Sequence, residues 1–157
     1  MELRILLTLT FITLTQGCPY ALGNWEKQTP EFRASKAPIV VVGYVTKSYK
    51  QQAQKLNQTT YAIEFKILRT LKGADLIDTL PPTDRTSENI HLITNFGSML
   101  MCFADVDEEH VFMLFLDVVT DHLSAKYTDL FGAAEVWTMS MEDKVILENN
   151  GKSNLTH

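Results

Sequence analysis

Cys18 and Cys102 are the only two cysteines of this 157-residue chain, and the segment before Cys18 decides what chemistry they do. Met1-Glu2-Leu3-Arg4 is a short flank with one cation, and Ile5 to Leu14 is apolar apart from threonines. Thr15-Gln16-Gly17 then places small residues at the two positions that a signal peptidase reads. Cleavage after Gly17 makes Cys18 the first residue of a secreted chain. In an oxidising compartment two thiols pair, so a disulfide between Cys18 and Cys102 is the default expectation. Closing a loop of roughly 85 residues removes unfolded-state entropy worth roughly 4–5 kcal/mol. The same compartment makes acceptors of Asn57-Gln58-Thr59 and Asn154-Leu155-Thr156, which both match the N-glycosylation triplet.

Other chemistry is thinly supplied. His91, His110, His122 and His157 are scattered without a paired nucleophile, and Ser98, Ser124 and Ser140 lack the Gly-x-Ser-x-Gly setting that turns a serine outward. Asp107, Glu108 and Glu109 are adjacent rather than opposed across a pocket, a poor start for acid–base pairing. Two cysteines without histidines at ligand spacing do not make a tetrahedral zinc set. The acidic turn Asp105 to Glu109 lacks the spread of ligands that a calcium loop needs. The expectation is a chain that is not an enzyme and takes no metal or cofactor. With Lys+Arg 14 against Asp+Glu 19, the formal net charge is −5, and no basic block exceeds two neighbours. That composition argues against a nucleic-acid groove or an anionic membrane patch and leaves proteins as the expected partners.

The elements that must position these residues read as strands. Residues 18–150 have the length of one ordinary domain, between a signal peptide at 1–17 and a tail at 151–157. Pro19 to Lys36 reads as an irregular segment with short helical turns, interrupted by Pro30. Ile39 to Thr46 is dense in β-branched residues and predicts a central strand, with Gly43 marking a bulge or bend. Lys47 to Thr59 is polar and predicts a long exposed loop. Tyr61, Ile63, Phe65 and Ile67 alternate with Ala62, Glu64 and Lys66, the period-two pattern of a half-buried strand that ends at Leu71-Lys72-Gly73. After a loop from Asp78 to Asn89, Ile90 to Thr94 is a third strand and Asn95 to Ser98 a turn. Val111 to Leu116 is the most apolar strand. It is too short, and with Asp117 too polar, for the about 20 apolar residues of a membrane span. Ala133 to Met139 supplies a fifth strand. Short strands at even spacing favour a closed barrel over a sheet with open edges. Ser140 reads as an N-cap, Glu142 and Asp143 as first-turn carboxylates, and Asn149-Asn150-Gly151 as the stop of a terminal helix.

Four pieces, in this order, carry a family resemblance: Cys18-Pro19, Val40-Val41-Val42-Gly43-Tyr44-Val45, Leu71-Lys72-Gly73-Ala74-Asp75-Leu76, and Asn95-Phe96-Gly97-Ser98 leading to Cys102. With them the chain resembles the amino-terminal laminin-binding domain of agrin. That domain belongs to the OB-fold group of the netrin-like modules and the tissue inhibitors of metalloproteinases. The resemblance implies a mainly β fold: a five-stranded OB-fold barrel with flanking short helices, its N-terminal segment stapled by Cys18 and Cys102. It also implies a secreted extracellular-matrix module that binds the laminin coiled coil through apolar residues of the C-terminal helix. The matching positions are Met141, Val145, Ile146 and Leu147. Agrin continues into cysteine-rich modules where this sequence ends at His157, so a free-standing domain and a truncated product both stay open. The alternative is a metalloproteinase inhibitor, in which the α-amino group and carbonyl of Cys18 would chelate the target's catalytic zinc. Those inhibitors carry a second cysteine where this chain has Tyr20.

Overall fold

The computed structural model describes residues 28–81, 89–97, 103–108, 110–125 and 133–153. The segment expected to be a signal peptide, Cys18, Cys102 and Asn154 lie outside the described residues. Among the described residues, six strands, β1 Ile39–Ser48, β2 Thr60–Lys72, β3 Ile90–Gly97, β4 Val111–Val119, β5 His122–Ala125 and β6 Ala134–Val136, occur with four helices. The helices are α1 Pro30–Lys36, α2 Lys50–Lys55, α3 Ala74–Asp78 and α4 Met139–Ser153.

Strand pairing runs β1-β2-β3-β5-β4 and closes by pairing β4 back on β1. Among the described residues only the β3–β5 contact is parallel; the other pairs are antiparallel. This is a small OB-fold-like barrel of five strands, with β6 added on β4. One side of β4 serves β1, while on the other Leu116 to Val119 meet β5 and Phe112 to Leu114 meet β6.

Two apolar clusters explain the two kinds of strand. On β2, Tyr61, Ile63, Phe65 and Ile67 turn into the barrel with Phe96, Ile93, Leu114 and Leu123, while the alternate residues stay half-exposed. The runs 39–45 of β1 and 111–116 of β4 are apolar because both their faces are covered. Ile39 and Val41 point into the barrel, whereas Val40, Val42, Met113 and Phe115 form a second cluster outside it with Ala34 and Ala37 of the α1 region and Val145 of α4. The helices therefore cover one wall of the barrel, that of β1 and β4.

Local chemistry accounts for most element ends. The β1–β2 ladder shifts register between Val42 and Gly43, where a Cβ would lie 2.1 Å from the Lys66 carbonyl oxygen; only glycine allows this approach. Gly73 takes a left-handed turn (φ 76°) between β2 and α3. Pro30 starts α1 rather than interrupting it, because the first turn of a helix has no use for the missing N–H; Thr29 accepts from the Phe32 N–H as the cap.

Four expectations are corrected. The stretch expected as a loop from Lys47 to Thr59 contains α2, built of good helix formers (Lys, Gln, Ala) and anchored by buried Ala53. The turn expected at Asn95 is instead a continuation of β3: Asn95 takes φ 73° within the strand, and its side-chain amide donates to the Ala125 carbonyl oxygen. The fifth barrel strand is His122–Ala125, not the segment after Ala133, which forms only the three-residue β6. The β4–β5 hairpin turns through Thr120 at φ 58°, a conformation unusual for a β-branched residue, so no Asn-Gly or Asp-Gly signal marks it. Finally, α4 begins at Met139 and runs through Asn149-Asn150-Gly151 to Ser153. Asparagine and glycine each cost a helix only about 1 kcal/mol or less relative to alanine, too little to force a stop.

Candidate partner-binding surface

The orientation of α4 is fixed by a carboxylate that the sequence placed only as a first-turn charge. Glu142 is 8 % exposed, and its Oε2 accepts from Arg69 Nη2 on β2 and from Trp137 Nε1, each at 2.6 Å. The Arg69 guanidinium also lies over the Trp137 ring, 5.4 Å from its centroid. Thr138, not Ser140, caps the helix: its Oγ1 accepts from the Met141 N–H and its carbonyl from the Glu142 N–H. Ser140 is exposed within the first turn.

A second ionic pin lies next to it. Arg33 of α1 is 1 % exposed, pairs with Glu135 of β6, and sits 4.7 Å from the centroid of Phe115. The carboxylate and the ring face both offset the charge of this buried guanidinium. Lys72 adds a hydrogen bond to the Ala34 carbonyl oxygen of α1 at 3.0 Å. Thus α1, β6 and α4 are clamped to the barrel wall by side chains from β2 and from each other.

Once α4 is clamped, its four expected contact residues separate. Val145 is fully buried and Met141 packs partly against the same cluster, so these two dock the helix. Ile146 and Leu147 are 37 % and 70 % exposed. Met139 is 69 % exposed and lies on their side of the helix, since residues seven or eight apart share a face at 3.6 residues per turn. Val136 of β6 is exposed as well. The result is an outward strip along α4 made by Met139, Ile146 and Leu147, which also carries exposed Asp143, four residues from both Met139 and Leu147 and therefore between them on the same face; exposed Lys144 borders it.

The acidic turn is occupied with holding the barrel end. Asp105 accepts from the Tyr61 hydroxyl at 2.6 Å and pairs with Lys50; Glu108 accepts from the Ser48 N–H at 2.8 Å; Asp107 lies 2.8 Å from His110. Burial, and then the hydrogen bond to Asp105, push the Tyr61 phenol well above its ordinary value. Burial alone lowers His91, half-buried on β3. Among the described residues no group of three or more His, Cys, Asp or Glu could hold a metal ion, and no helix is long and apolar enough to cross a membrane. Asn57 is exposed and follows α2 in a left-handed conformation (φ 55°).

Sequence reasoning missed the Glu142, Arg69 and Trp137 constellation. The one available signal was a tryptophan five residues before a first-turn glutamate; the arginine comes from another element and leaves no local pattern. The chain matches no protein-family model and no curated protein.

Proposed function

We propose that this protein is a secreted extracellular-matrix module that binds a laminin coiled coil on the exposed strip of α4. The observation that carries the reading is the exposure of Leu147 and Met139, about seventy per cent each, on a helix whose opposite face is pinned to the barrel. A rigid helix with apolar side chains two turns apart is a form in which helical partners are read, their own apolar seam supplying the complementary ridges. Covering Leu147 and Met139 contributes roughly 1–2 kcal/mol apiece, enough to make them the anchors of a modest interface. The choice of laminin comes from the resemblance of the sequence to the agrin amino-terminal domain.

The test is a solid-phase titration of the purified secreted chain on immobilised laminin, with a metalloproteinase assay on the same preparation. Saturable binding without inhibition is the expected result. Inhibition that disappears when the Cys18 amine is acetylated would replace this reading with the inhibitor one, and absence of binding would overturn it.

A further inference from the structure

A second surface, on the far side of the molecule's sequence from α4, carries its own chemistry. The triplet Asn57-Gln58-Thr59 is exposed along its whole length, directly after α2. Its backbone is held in place: the Asn57 N–H donates to the Gln54 carbonyl and the Gln58 N–H to the Ala53 carbonyl, at 3.1 and 2.9 Å. Leu56, immediately before it, is 60 % exposed. Leu56 and Gln58 flank Asn57 and line a cleft of about 370 Å³, whose walls include Tyr49, Gln52 and Leu92. Apolar walls with a few convergent amides are the lining that small polar ligands with an apolar face require. A pyranose ring is such a ligand, with C–H groups on its face and hydroxyl and acetamido groups at its edge.

We propose that Asn57 carries an N-linked glycan whose first sugars seat in this cleft, against Leu56 and Tyr49, with Gln52 and Gln58 as hydrogen-bonding partners. Attachment joins the Asn57 carboxamide nitrogen to the anomeric carbon of a lipid-diphosphate-linked oligosaccharide. The anomeric C–O bond breaks, the diphosphate leaves with its electron pair, and the nitrogen's proton passes to a base of the transferring enzyme. The tether supplies the occupant at high effective concentration, so weak contacts suffice to seat it. The inference rests on the secretion that the proposed function assumes.

The test uses the full chain expressed in a eukaryotic secretory host, with site-resolved mass spectrometry of the Asn57 peptide and native endoglycosidase digestion. The expected outcome is a sugar-bearing Asn57 in the secreted protein, lost in Asn57→Gln and Thr59→Ala. Native cleavage should be about five-fold slower than in Leu56→Ser, as expected for burial of roughly 40 Å² of apolar surface. Leu56 is exposed, so that variant folds. Secreted protein with a bare Asn57 overturns the proposal alone, and an occupied Asn57 cleaved equally fast in both proteins overturns the seating. Recovery of the chain only from the cytosol overturns the secretion reading and this inference with it.

Discussion

Single side chains in this barrel have separable, measurable duties. The Tyr61 hydroxyl donates to Asp105 and accepts from the buried Val106 N–H at 3.0 Å. Tyr61→Phe leaves that N–H without its acceptor and should cost about 1–3 kcal/mol, read from urea denaturation. Because its pKa is raised, the phenol's contribution is fully present below its ordinary value of 10.0 and is lost only as pH rises beyond it. His91 has the opposite sign. Burial lowers it from 6.5, so its contribution is present above that value and lost as pH falls through it toward the folded value. Urea midpoints at about pH 7.5 and about pH 5.0 should therefore diverge in the wild type and converge in His91→Gln. Gly43→Ala drives a Cβ into the Lys66 carbonyl and should destabilise by more than the roughly 1–3 kcal/mol typical of overpacking, because backbone rather than a flexible side chain must move.

At the scale of elements, the period-two alternation of β2 and the solid apolar runs of β1 and β4 were legible because burial writes them into the sequence. An alternating strand has one wet face, and an apolar run has none. What was illegible depends on partners distant in the chain. α2 looked like a loop because five of its six residues are polar and a single Ala53 anchors it. β5 has four residues and a turn without glycine, and only its neighbours β3 and β4 make it a strand. The C-terminal helix was foreseen, yet its inner and outer faces were not, since that division follows from Glu142 meeting Arg69 on β2. Removing this carboxylate as Glu142→Ala leaves the Trp137 N–H and the Arg69 guanidinium without their shared acceptor. The expected cost is about 1–3 kcal/mol, with a shift of tryptophan fluorescence reporting the loosened helix. Val145→Asp places an unpaired charge in the cluster between α4 and the barrel and should cost at least about 3 kcal/mol in the same denaturation series.

For the whole molecule, the fold and the proposed surface stand in a definite relation. The barrel buries its interior through five strands and uses the outer faces of β1 and β4 as a platform for α1 and α4. The platform leaves Met139, Ile146 and Leu147 outward, and the laminin-binding reading depends on that outward strip rather than on the barrel. Of the four helix residues expected to contact a partner, Ile146 and Leu147 lie outward, whereas Val145 and Met141 dock the helix. Sequence pattern marks apolar positions; only packing divides them between core and surface. The most direct test compares the wild-type secreted chain with Met139→Asp/Leu147→Asp on immobilised laminin, with thermal melts of both proteins. Both substituted side chains are solvent-exposed, so melts should agree within the equivalent of about 1 kcal/mol while affinity for laminin falls at least about tenfold. Equal affinity of the two folded proteins for laminin would contradict the assignment of binding to α4.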